Sequence, residues 1–187
     1  MTTKNLHSRA GYVTSGRWEL ASERSKVGFR VRLPWGIATV TGHFDELSGK
    51  LDLSATPAGT LTIMAASVQT GNRRRDEHLR SSDFFDAERH PEVRFISDSA
   101  AEEGDTLKVS GRLFARGQSI PLSLVARIRY VGGELALEAR TTVSHRELGM
   151  TWSPFGLIPP RSELFLNARL IPARPTPQRP AAPMQRS

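Results

Sequence analysis

The feature that most constrains this chain is a two-residue alternation of apolar and polar side chains, repeated along five long stretches. In residues 25–33, Val27, Phe29, Val31 and Leu33 share one face, with Lys26, Arg30 and Arg32 on the other. Residues 106–115 set Leu107, Val109, Leu113 and Ala115 against Lys108, Ser110 and Arg112. Residues 119–130 align Ile120, Leu122, Leu124, Ala126, Ile128 and Tyr130. Residues 134–143 align Leu135, Leu137, Ala139, Thr141 and Val143 opposite Glu134, Glu138 and Arg140, and residues 163–170 align Leu164, Leu166, Ala168 and Leu170. One dry face and one wet face per segment is what antiparallel strands require, and neither helices nor doubly covered parallel sheets read this way. Shorter runs at 38–44, 47–53, 61–68 and 93–96 add candidate strands. Gly104-Asp105 and Gly132-Gly133 predict hairpin turns between them. A strand of about ten residues spans roughly 33 Å, which suits a tall barrel or sandwich. Residues 73–82 predict one short helix, so the expected class is all-β with a single helical excursion.

The chain has 187 residues, enough for one domain with a sizeable core. No apolar run approaches the roughly 18 residues of a membrane-spanning helix. The first seventeen residues lack the compact apolar stretch of a secretory leader, so the expected compartment is the cytoplasm. Cysteine is absent, which excludes disulfides, thiolate metal sites and cysteine nucleophiles. The net charge of +7 invites a nucleic-acid reading, but its location argues otherwise. Lys4, Arg9 and Arg17 lie at one end and Arg174, Arg179 and Arg186 at the other, with no acid among them, while the stretch between is nearly neutral. Basic ends do not make a basic groove, and no specific nucleic-acid partner is expected. Residues 172–187 hold five of the twelve prolines. The expected organisation is a flexible segment at 1–16, a folded barrel at 17–171 and a Pro/Arg-rich disordered tail at 172–187.

Titratable side chains are densest in residues 70–95, which offer Asp76, Glu77, His78, Asp83, Asp86 and His90. Asp76 and His78 stand two apart, so on a helix they do not share a face, and the four-residue spacing of a helical histidine pair is missing. Arg75 and Asp76 are expected to bond neighbouring backbone, with Leu79, Phe84 and Phe85 packing the helix end onto the sheet. The sequence holds no GxSxG elbow, phosphate-cradling loop or GxGxxG turn, and the other histidines are dispersed. No catalytic residue, metal or cofactor is therefore assigned. An enzyme using Asp76 and His78 remains the alternative, as does a solid-core interaction protein acting through its basic ends.

The order of motifs resembles the YceI-like family of lipid-binding proteins over about residues 17–170. The resemblance rests on Ser25-x-Val27-x-Phe29-x-Val31, Val40-x-Gly42-x-Phe44, Thr70-Gly71-Asn72, Arg75-Asp76-x-His78-Leu79-x-Ser81-x-Asp83-Phe84-Phe85-Asp86, His90-Pro91 and Gly149-Met150. It implies an extended, lipocalin-like antiparallel barrel of about eight strands around a long apolar tunnel. It further implies non-catalytic binding of a polyisoprenoid, quinone or fatty derivative, in isoprenoid-quinone metabolism, transport or stress response. Many such relatives are periplasmic. Where the family often has a histidine after its first alternating strand, this chain reads Leu33-Pro34-Trp35. Candidate ligand-binding walls are Phe29, Val31, Ile63, Phe84, Phe95, Leu122, Leu124, Ile128, Leu137, Trp152, Phe155 and Leu166. A homodimer through exposed strand edges is open to such a barrel, with no interface signature in the sequence.

Overall fold

The computed structural model describes residues 16–36, 38–54 and 57–173. The expected disordered ends lie almost wholly outside these residues. Among these residues, eleven strands and one α-helix follow in chain order: β1 (Arg17–Leu20), β2 (Lys26–Arg32), β3 (Thr39–Phe44), β4 (Leu47–Asp52), β5 (Ala58–Met64), β6 (Val68–Gln69), α1 (Arg73–Arg80), β7 (Glu92–Glu103), β8 (Thr106–Ala115), β9 (Gln118–Val131), β10 (Glu134–Ser144) and β11 (Arg161–Pro172). All pairings are antiparallel. The order β1-β4-β5-β7-β8-β9-β10-β11 closes on itself because β11 also pairs with β1. The result is an eight-stranded closed barrel, in which no ring strand is left with an open edge along its paired length.

β11 serves two partners on one edge. Its lower part pairs with β1, Leu20 opposite Leu170, and its upper part pairs with β2, Phe29 opposite Leu164. β3 and β6 extend the sheet from β2. At the upper end lie the β2–β3 loop, the helical segment between β6 and β7, the β8–β9 turn and the long β10–β11 loop. The tight turns use left-handed backbone, as two-residue hairpins require. Gly132 and Gly133 supply it at φ of 62° and 86°, but at the β8–β9 turn Arg116 shares the task with Gly117, which glycine counting alone does not predict.

Where two strands approach closely, glycine admits an aromatic. Phe29 lies opposite Gly42 on the inner face, and Phe165 opposite Gly28 on the outer. A methyl group on Gly42 would stand 2.5 Å from the Phe29 ring, so the ring covers the bare backbone. Between β7 and β8 the register shifts at Ser97 and Ser99, leaving Asp98 as an extra residue that coils the sheet. Ser97 Oγ accepts the Gly59 N–H at 2.6 Å and ties this bulge to β5.

Candidate functional site

The inward side chains form two packed clusters, one at each end of the barrel. The lower cluster centres on Trp18, Leu107, Ile128 and Leu135, of which Leu107 and Leu135 are fully buried. The upper one centres on Phe44, Ala65, Val68, Leu148 and Met150. Between them the packing loosens. Leu61, Phe95, Val109, Leu124, Leu164 and Leu166 have inward parity yet are only partly buried, because they face an internal space instead of neighbouring side chains. That space is a cavity of about 260 Å³ with almost wholly apolar walls. An engineered cavity of roughly 150 Å³ admits one benzene, so this one has room for about a dozen carbons before any side chain moves.

The segment from α1 to Asp86 and the β10–β11 loop close the upper end. Asn72 caps α1 by accepting the Arg75 N–H at 3.1 Å. Asp76, buried in the helix, accepts the Thr70 N–H at 2.9 Å and the Thr70 hydroxyl. Arg75 Nε in turn donates to Thr70 Oγ1 at 2.7 Å. These bonds fix the helix so that Leu79, Phe84 and Phe85 form the cavity roof. His78 Nε2 and Asp83 Oδ2 are 2.7 Å apart, and the imidazole stands edge-on to Trp152 with ring centroids separated by 4.4 Å. Asp76 and His78 therefore hold different partners and do not converge. Among the described residues, no three histidine, aspartate or glutamate side chains gather as a metal site.

A hydrogen-bonded polar pair lines the cavity near its upper end. His145 Nδ1 and Ser162 Oγ are 2.8 Å apart, and both residues line the space. Burial lowers the His145 pKa below the usual histidine value, which favours the neutral imidazole. The pair can hydrogen-bond a hydroxyl or carbonyl of an otherwise apolar molecule. Sequence reading did not single it out, since His145 follows a strand end and Ser162 is an unremarked serine within an alternating strand.

Nine of the twelve proposed wall residues line the cavity: Phe29, Val31, Ile63, Phe84, Phe95, Leu122, Leu124, Leu137 and Leu166. Three lie elsewhere. Ile128 is sealed into the lower cluster, only 2% exposed. Trp152 braces His78 and Phe84 from outside the roof. Phe155 projects from the β10–β11 loop, 98% exposed. Tyr130, aligned with the inward residues of β9, is half-exposed at the lower rim and meets Trp18 edge-on.

A closed antiparallel barrel around an apolar internal cavity defines the class of this protein. Residues 18–170 match the YceI-like domain model, and the chain belongs to that family. It is 30% identical over 134 residues to Protein YceI of Escherichia coli O157:H7, covering 68% of this chain and 70% of that one. It is 29% identical over 127 residues to UPF0312 protein plu2095 of Photorhabdus laumondii, covering 66% of each. Among solved structures, Burkholderia cenocepacia BcnA superposes with a TM-score of 0.73 at 17% identity, over 80% of this chain and 98% of that one. A polyisoprenoid binding domain from Saccharophagus degradans gives a TM-score of 0.67 at 16% identity, over 86% of this chain and all of that one. At such identities these two likenesses speak for the fold alone.

Proposed function

We propose that this protein is a non-catalytic binding protein that holds a polyisoprenoid or similar long-chain amphiphile in the barrel cavity, carrying or sequestering it. The observation that supports this reading is the loosening at the barrel's waist, where apolar side chains face a void while both ends are tightly packed. The Saccharophagus neighbour, which shares the fold, is itself described as a polyisoprenoid binding domain, and the ligand class proposed for this chain follows that description. An isoprenoid tail needs only apolar walls along its length, and the His145–Ser162 pair would receive its polar head.

Magnitudes bound the ligand. Burying a dozen carbons is worth about 10 kcal/mol at roughly 0.8 kcal/mol each. Association itself costs at least about 4 kcal/mol. Firm binding therefore calls for a longer tail, accommodated as the roof side chains Phe84 and Phe85 yield. The test is calorimetric titration with geranylgeraniol of the wild type and of Leu124→Trp, which fills the waist. The wild type is expected to bind and the variant to bind at least roughly tenfold more weakly, or about 1.4 kcal/mol, with an unchanged far-ultraviolet spectrum. Equal affinities, or no binding by the wild type, would contradict the assignment.

A further inference from the structure

We infer that the upper end of the barrel docks on the interface of an anionic lipid bilayer, with Trp35 and Phe155 as the inserted side chains. They are the most exposed large apolar residues among those described, at 85% and 98%. Each sits in a Pro-aromatic-Gly turn, Pro34-Trp35-Gly36 and Pro154-Phe155-Gly156, and the two turns are near copies. Trp35 has φ 56° and ψ 18°, Phe155 has φ 54° and ψ 20°, and the following glycines have φ of 70° and 69°. Left-handed backbone is unfavourable for a bulky aromatic. Here it aims each ring into solvent with no packing in return.

The two turns project from the same end. The β2–β11 register places Arg30 opposite Glu163, and continuing it brings Arg32, which starts the first loop, opposite Arg161, which ends the second. The Phe155 turn is closed by Ser153, whose Oγ accepts the Ile158 N–H at 2.8 Å and donates to the Ile158 carbonyl at 3.2 Å. Half-exposed Leu157 extends the apolar tip.

The surrounding charge selects the partner. Arg32, Arg146 and Arg161 are exposed where the two loops join their strands, and the two loops offer one carboxylate, Glu147. Glu163, lower on β11, pairs with Arg30 and loosely with Arg32. Among the described residues, Arg146 and Arg161 have no ion-pair partner. Aromatic tips with arginines at the bases of their loops suit the headgroup region of a negatively charged membrane, which admits each side chain separately. A protein partner would need two matched pockets at a fixed separation. The loop that carries Phe155 also supplies Leu148, Met150 and Ile158 to the cavity wall, so docking there brings the cavity to the lipid.

The test is vesicle flotation of the full chain on phosphatidylcholine alone and on phosphatidylcholine with phosphatidylglycerol. Binding to the anionic vesicles is expected and should weaken with salt. The double variant Trp35→Asn/Phe155→Asn should bind at least roughly tenfold more weakly. Its melting temperature should be preserved or raised, because asparagine tolerates the left-handed backbone. Val125→Ser, at an exposed site on the barrel flank, should bind as the wild type does. Flotation of the double variant equal to wild type would overturn the proposal in favour of the basic chain ends. No wild-type flotation, or self-association that the double variant abolishes without any vesicle binding, would also overturn it. A second readout needs no double variant: brominated phosphatidylglycerol should quench the emission of wild type more than that of Trp35→Phe, and equal quenching would count against insertion. Vesicle binding is read without any cavity ligand, so its failure and a failure of the cargo assignment are distinguishable.

Discussion

A histidine that lines an apolar cavity makes the protein's stability depend on pH in a definite direction. Burial holds the folded-state pKa of His145 below the ordinary value, so between those two values the unfolded chain binds more protons than the folded one. The stability contributed by neutral His145 is fully present above the ordinary pKa and is lost as pH falls from there through the lowered folded-state value. The resistance of the wild type to urea unfolding is therefore expected to fall on acidification from about pH 7 towards about pH 5, below the usual histidine value near 6.5. In His145→Gln that portion of the slope should vanish, and an unchanged slope would contradict the assignment. The residue scale was also the least legible in sequence. Leu124 and Ile128 share one strand and one face, yet Leu124 faces the void and Ile128 is sealed below it. Parity gives the face of a strand residue but not its height in the barrel. Trp152 and Phe155 stand in a loop, where parity gives nothing at all.

The elements were far easier to read. Alternation located the long strands because a barrel strand has one dry face along its whole length, and Gly132-Gly133 marked a real turn. β7 runs on its ladder with β8 to Glu103, well beyond the apolar residues 93–96; that half escapes the alternation because it is largely exposed and the bulge at Asp98 shifts its parity. The helix formed within the expected span. Its role depends on Asp76, whose carboxylate holds Thr70 across the turn that enters α1. Asp76→Ala leaves the partly buried Thr70 N–H and hydroxyl without their acceptor, and it should cost about 1–3 kcal/mol. The expected signature is a lower urea midpoint together with faster amide exchange in α1. A midpoint and exchange rates equal to wild type would show that the roof does not depend on this bond.

At the scale of the whole molecule, the barrel encloses space that its own side chains do not fill. Tightly packed ends around a loose waist explain how such a core persists: the lower cluster and the fixed roof maintain closure while the middle stays open. Apolar walls and apolar core use the same residues, so the sequence could announce the barrel but not where packing stops. The family resemblance carried the expectation of a tunnel, and the geometry supplies a cavity of about 260 Å³ with a hydrogen-bonded polar pair, His145 and Ser162, in its wall. The most direct test is mass spectrometry of an organic extract from gently purified protein, beside a denatured and refolded control. A long-chain isoprenoid or related amphiphile is expected in near-stoichiometric amount, lost in the control and regained when polyprenol is added. A clean extract from protein that also refuses added polyprenol would contradict it.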